Sequence, residues 1–182
     1  IVGNDATLLI EINGTGLSGD LFLINGGGGS TVRGLVVHGV PGQGFNIQGS
    51  NANTIAGNFL GTNPAGTILL SGLNAIRRNG ASNTVGGAAP AARNVIAGGT
   101  SAFGLAHLVF LENAGIGGNA VIQGNYIGTN AAGTAALLSG GPTNGITVST
   151  NDNTIAARPP RAAPHALRAT LEVVLTGGGG GG

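Results

Sequence analysis

The sequence contains no cysteine, methionine, tryptophan or lysine. Without cysteine there is no disulfide and no thiolate metal site, and the absence says nothing of redox compartment. Charge is scarce too: Asp, Glu, Lys and Arg make up 7% of the chain, against about 25% in an ordinary globular domain. All seven basic residues are arginines, and they form no stripe. A nucleic-acid binder normally carries one, so that class is excluded. No apolar run reaches the ~18 residues needed to cross a bilayer. Aromatics are limited to five Phe and one Tyr. The chain opens at Ile1 without a basic leader, as a mature product or an internal segment would, so export is left open.

What is abundant is glycine, 38 residues of 182, and aliphatic side chains, which bring the hydrophobic share to 41%. Disordered chains combine few aliphatics with high net charge, whereas this one is aliphatic and formally +1. The glycines therefore belong to turns, where φ is positive or backbones approach closely. Short aliphatic runs cut by Gly, Asn and Ser indicate an all-β chain with many tight corners.

Repetition is the main signal. Residues 57–67 (GNFLGTNPAGT) and 124–134 (GNYIGTNAAGT) match at eight of 11 positions, 67 residues apart. A second element is Asn-Thr-aliphatic: Asn53-Thr54-Ile55, Asn83-Thr84-Val85 and Asn153-Thr154-Ile155. A third groups Asn94-Val95-Ile96 with Ala120-Val121-Ile122. A fourth, Gly-x-x-aliphatic, begins at Gly34, Gly44 and Gly145. Such three- to six-residue alternating segments read as strands.

A solenoid accounts for the pattern. One turn of chain buries little alone, but turns stacked about 4.8 Å apart pair their backbones and align like residues in columns. Ile55, Val85 and Ile155 then form an internal aliphatic column. Asn53, Asn83 and Asn153 face the same way two residues earlier. Buried, they need partners, which stacked amides supply for one another. Thr54, Thr84 and Thr154 point outward. The step from Gly44 to Asn74 to Gly104 suggests coils of 30 residues. Segments 62–67 and 129–134 are expected to bulge as loops.

The runs Ser30–Val37, Asn53-Thr54-Ile55, Gly57–Asn63 and Ala92–Ile96, led by Leu8–Gly14, resemble the bacterial right-handed parallel β-helix repeat proteins of the pectate-lyase-like superfamily. The resemblance covers about residues 5 to 155 and is specific for fold. It implies a right-handed coil, consistent with the general rule for parallel crossovers. It also implies a secreted or cell-surface bacterial protein, and its members include carbohydrate-active enzymes. Two segments are expected: residues 1–155 as the β-helix, a piece of a longer array, and 156–182 as an irregular tail. The tail is rich in Ala, Arg and Pro and ends in six glycines. It reads either as an out-of-frame stretch or as a linker.

No catalytic constellation is visible. Glycoside hydrolysis needs paired carboxyl groups, and Asp5, Glu11, Asp20, Glu112 and Asp152 are scattered. The elimination chemistry that the resemblance would imply calls on an acidic Ca²⁺ cluster, and Ca²⁺ takes six to eight oxygens; no DxD or DD occurs. Ca²⁺ is thus expected only under a lyase reading, with no other cofactor and no metal. His38, His107 and His165 lack metal-ligand spacing. Arg93 is expected to cap turn carbonyls. Phe59 and Tyr126 occupy equivalent positions and are expected to pack rather than to serve as sugar platforms.

The expected role is a structural or adhesive surface module, with an extracellular polysaccharide or a cell-surface component as partner. The weak binding candidates are Thr62, Asn63, Thr67, Thr129, Asn130 and Thr134, whose loops suit sugar hydroxyls. The alternative is a fragment of a carbohydrate-active enzyme, lyase or hydrolase, and two carboxylates and an arginine converging in one surface groove would put it first. Ice binding is a second alternative, disfavoured by the lack of paired Thr-x-Thr rows. Open solenoid ends expose strand edges, so self-association is expected.

Overall fold

A computed structural model describes residues 10–70, 74–98, 106–112, 118–138, 143–156 and 174–175. Three parallel sheets run along one axis. Sheet I joins β1 (Ile10–Asn13), β4 (Leu35–His38), β7 (Phe59–Leu60), β10 (Val95–Ile96) and β13 (Tyr126–Ile127) in that order. Sheet II joins β2 (Phe22–Asn25), β5 (Gln43–Gln48), β8 (Asn74–Arg78), β11 (Ala106–Leu111), β14 (Thr143–Val148) and β16 (Val174–Leu175). Sheet III joins β3 (Thr31–Arg33), β6 (Thr54–Ala56), β9 (Thr84–Gly86), β12 (Val121–Gln123) and β15 (Thr154–Ala156). From β1 to β15 the chain visits sheets I, II and III in turn and then repeats, which is the path of a parallel β-helix. Of the expected tail, only Ala156, which ends β15, and β16 lie within the described residues.

Side chains alternate because strand residues do. Inside, sheet III contributes one column: Val32, Ile55, Val85, Ile122 and Ile155 sit in register. Sheet I contributes Ile12, Val37, Leu60, Ile96 and Ile127. In sheet II, Phe22, Phe45, Ile76, Val109 and Ile146 align, and the rings of Phe22 and Phe45 stack at 5.1 Å. These columns form a single core. Each buried aliphatic contributes about 1.5–3 kcal/mol, so the stack rather than any one coil is the folding unit.

Two amide ladders run up the corners. At the entry to sheet III, Asn53 donates its main-chain and side-chain N–H to Asn83 Oδ1, Ser30 N–H donates to Asn53 Oδ1, and Ala120 N–H donates to Asn153 Oδ1. Ala120 interrupts the series between Asn83 and Asn153. At the entry to sheet I, Asn58 donates in the same double fashion to Asn94, and Asn94 to Asn125. This second ladder had no counterpart in the sequence reading.

Three sequence expectations need correction. Ala120-Val121-Ile122 belongs with the Asn-Thr-aliphatic segments of sheet III, not with Asn94-Val95-Ile96, which lies in sheet I beside Tyr126-Ile127. The shared apolar pair misled because both sheets need one inward aliphatic. Gly34 likewise opens onto sheet I, whereas Gly44 and Gly145 lie in sheet II. The coils are not uniform. Offsets run from 23 residues (Phe22 to Phe45) to 37 (Val109 to Ile146), and Asn74 pairs with Gln43 rather than Gly44. Strand spacing fixes the register, and corner loops absorb the difference in length. Gly104 lies outside the described residues.

Candidate functional site

The 67-residue repeat is explained outside the coil. On the outer face of sheet I, Val36, Phe59, Val95 and Tyr126 stand in register and form a second small core, joined by Ala131. The two loops cover it. Gly66, at φ +64°, leaves no room for a Cβ, which would come within 2.9 Å of the Phe59 ring, and Gly133 stands likewise against Tyr126. Ala131 N–H donates to Gly66 O. The loops thus touch each other across the intervening coil of Val95, which carries no copy of the motif. Coils rise about 4.8 Å each, so the two loops set out from strands about 10 Å apart.

Each loop closes on its own asparagine. Asn63 Oδ1 accepts the main-chain N–H of Thr67 and of Ile68, and Asn130 Oδ1 accepts those of Thr134 and Ala135. The Thr62 and Thr129 hydroxyls donate to the carbonyls of Asn63 and Asn130. The Asn63 and Asn130 amide nitrogens donate to Thr67 and Thr134. The polar atoms that suggested sugar binding at Thr62, Asn63, Thr67, Thr129, Asn130 and Thr134 hold the loops shut.

The outer face of sheet II is more open to chemistry. Asn46, Arg77, Phe110 and Thr147 lie in one row across β5, β8, β11 and β14. Arg77 grips Glu112 in bidentate fashion, with Nε to Oε2 and Nη2 to Oε1 both 2.8 Å. That hydrogen bond raises the Arg77 pKa above the ordinary guanidinium value, against an opposing effect of burial. Asp20, just before β2, adds a smaller electrostatic contribution. It accepts from Gln43 N–H at 2.8 Å and Asn46 Nδ2 at 2.6 Å. His107 stacks on Phe110 at 4.8 Å, and its Nδ1 meets the Thr147 hydroxyl at 2.6 Å. Asn144 Nδ2 lies 3.4 Å from the same nitrogen. Burial lowers the His107 pKa.

No family model matches the chain, and no significant match was found among curated proteins or solved structures.

Sheet II thus brings Asp20, Arg77 and Glu112, which are far apart in sequence, onto one face. Both oxygens of each carboxylate are engaged, by Arg77 at Glu112 and by Gln43 and Asn46 at Asp20. A Ca²⁺ ion wants a cluster of unengaged oxygens, and these residues do not fit one. Among the described residues, no three His, Asp or Glu side chains gather where a metal ion could be held. Glu11 lies elsewhere, 2.9 Å from His38 at the edge of sheet I. Arg93 donates from Nε to Gly124 O and lies over the Tyr126 ring, a turn-capping and packing role. Among the described residues, no helix is long and apolar enough to cross a membrane.

Proposed function

We propose that the chain is a structural or adhesive module of a secreted or cell-surface protein, and that it binds carbohydrate on the outer face of sheet II. The observation that carries this is the half-buried row of Arg77, Phe110 and Thr147, flanked by His107, Asn144 and Glu112. It combines an aromatic ring with planar donors and acceptors at the regular spacing of the coils. Extended partners suit such repeat surfaces. Bacterial origin and kinship with the pectate-lyase-like proteins rest on the motif resemblance.

The enzymatic alternative draws on the same face. Two carboxylates and an arginine meet there, but both oxygens of each acid are engaged by protein groups, Glu112 by Arg77 and Asp20 by Gln43 and Asn46, whereas hydrolysis needs a pair of carboxyl groups facing the scissile bond. Ice binding draws on sheet III, where Thr31, Thr54, Thr84 and Thr154 share an outer row broken by Val121. Ala56 and Gly86, in the adjacent row, are buried, so no paired row is presented.

Affinity electrophoresis through gels containing neutral and acidic polysaccharides tests the proposal. Retardation that Arg77→Ala or Phe110→Ala abolishes, and Asn63→Ala leaves intact, is the expected result. No retardation in any polysaccharide overturns it. Release of unsaturated products from polygalacturonate, with or without Ca²⁺, would put the lyase first.

A further inference from the structure

Asn-Gly pairs begin at Asn13, Asn25, Asn79 and Asn144. In such a pair the main-chain nitrogen of the glycine can reach the asparagine Cγ, because glycine has no Cβ to hinder the approach. The attack is intramolecular, so its rate follows how freely the two atoms come together. The fold restrains three of these pairs. Gly14 is buried, its N–H donates to His38 O at 2.8 Å, and Asn13 Oδ1 accepts from Thr15 N–H. Asn79 Oδ1 accepts from Gly49 N–H at 2.7 Å, and buried Gly80 is pressed so close to Ser50 O that a Cβ would collide with it. Asn144 and Gly145 lie inside β14, which pairs with β11, and Asn144 Nδ2 stands 3.4 Å from His107 Nδ1.

Asn25-Gly26 has none of these restraints. Asn25 ends β2, the edge strand of sheet II, and both residues are exposed. Among the described residues, neither the Asn25 side chain nor the Gly26 N–H makes a hydrogen bond. Gly26 and Gly27 are left-handed, at φ +71° and +56°, and nothing lies within 4 Å of the place a Cβ of either would take. The corner is tied down again only beyond them, where Gly28 bridges to Asn51 and Gly29 N–H donates to Asn51 O.

We propose that Asn25 is a site of spontaneous deamidation, with water as the only co-reactant. Gly26 N gives up its proton to solvent and bonds to Asn25 Cγ. The Cγ–Nδ2 bond breaks, and Nδ2 takes up a proton and leaves as ammonia. Water then opens the succinimide ring. Cleavage at Cγ yields aspartate, and cleavage at the main-chain carbonyl carbon yields isoaspartate, whose backbone runs through Cβ and Cγ. Either product places a carboxylate on β2, a strand that holds no charged residue. Isoaspartate also lengthens the chain by one carbon just ahead of the Gly28 bridge. The inference does not depend on the carbohydrate reading.

The test is incubation of the whole chain in mildly alkaline buffer, with peptide mapping by mass spectrometry at intervals and fragmentation that separates aspartate from isoaspartate. Asn25 is expected to convert roughly tenfold or more faster than Asn13, Asn79 or Asn144, each of which must first open locally, since an opening cost of about 1.4 kcal/mol already slows a reaction tenfold. Equal rates in the folded chain, or an earlier change at any of the other three, overturn the proposal. In urea the rates are expected to converge, because the difference belongs to the fold. A lead of Asn25 that persists undiminished in urea would come from its sequence neighbours and overturns the structural assignment. Asn25→Gln, at an exposed position, is expected to abolish the early release of ammonia. Release that continues unchanged in that variant refutes the site.

Discussion

Asn53 places both its main-chain and its side-chain N–H on the single Oδ1 of Asn83, 30 residues further along. Asn83 in turn donates from Nδ2 to Ser50 O. One carboxamide therefore satisfies three buried groups. Asn83→Ala leaves two donors and one acceptor unmet, at about 1–3 kcal/mol for each buried unsatisfied group. We expect a loss of about 2–4 kcal/mol in urea unfolding. Asn63→Ala, in an exposed loop, is expected to lose no more than about 1 kcal/mol. Equal losses at the two sites would mean that the ladder adds nothing beyond ordinary turn capping.

The residue before that ladder is left-handed in every coil: Gly29, Ala52, Ser82, Asn119 and Asp152 have φ between +52° and +74°. For an L-residue this conformation costs about 1–2 kcal/mol. The entropy lost on fixing a glycine offsets part of the relief. Ala52→Gly is therefore expected to be neutral or stabilising by up to about 1 kcal/mol. Ala52→Val should destabilise by more than 1 kcal/mol, since β-branching worsens the clash. Differential scanning calorimetry of the pair checks the order.

The outer core predicts a size limit at Gly66. A methyl group there meets both Phe59 and Ala131, and the loop cannot yield without exposing Phe59, which is 2% exposed. Gly66→Ala is expected to destabilise by about 1–3 kcal/mol and to raise hydrogen exchange across residues 63–70. Wild-type exchange in that segment would show that the loop does not rest on Phe59.

His107 gives stability a pH dependence of known sign. Burial holds its folded pKa below the unfolded value of about 6.5. As pH falls through that value the unfolded chain gains a proton that folded His107 does not, so stability declines with acidification and levels off once the folded imidazole also protonates. His107→Gln should unfold with a flatter profile between pH 7 and 5. A parent whose stability rises over that range relative to the variant would reverse the sign.

The fold was legible because its signals are local. Asn-Thr-Ile and its relatives mark one strand each, and the 11-residue repeat marks two coils with their loop. The strand β12 was misread at Ala120-Val121-Ile122, where both the Asn and the Thr of the motif are replaced. The second ladder escaped because Asn58, Asn94 and Asn125 precede unlike pairs, Phe-Leu, Val-Ile and Tyr-Ile, and lie 36 and 31 residues apart. The outer face of sheet II was not legible at all. The pairing of Arg77 with Glu112 depends on corner lengths, and loop length leaves little trace in composition. The loops drew notice for the chemistry of Asn63 and Thr67, and the same donors and acceptors close each turn.

The account stands on coils lying in parallel register, and the lack of native cysteine makes this directly measurable. Thr54 and Thr84 are register partners in adjacent strands, about 4.8 Å apart, within disulfide reach. Thr84 and Thr154 are separated by Val121 and stand about 10 Å apart, too far to bridge. Under mild oxidation, the double variant Thr54→Cys/Thr84→Cys is expected to form an intramolecular disulfide, and Thr84→Cys/Thr154→Cys is not. Cross-linking of the second pair, or failure of the first, would contradict the stacked solenoid.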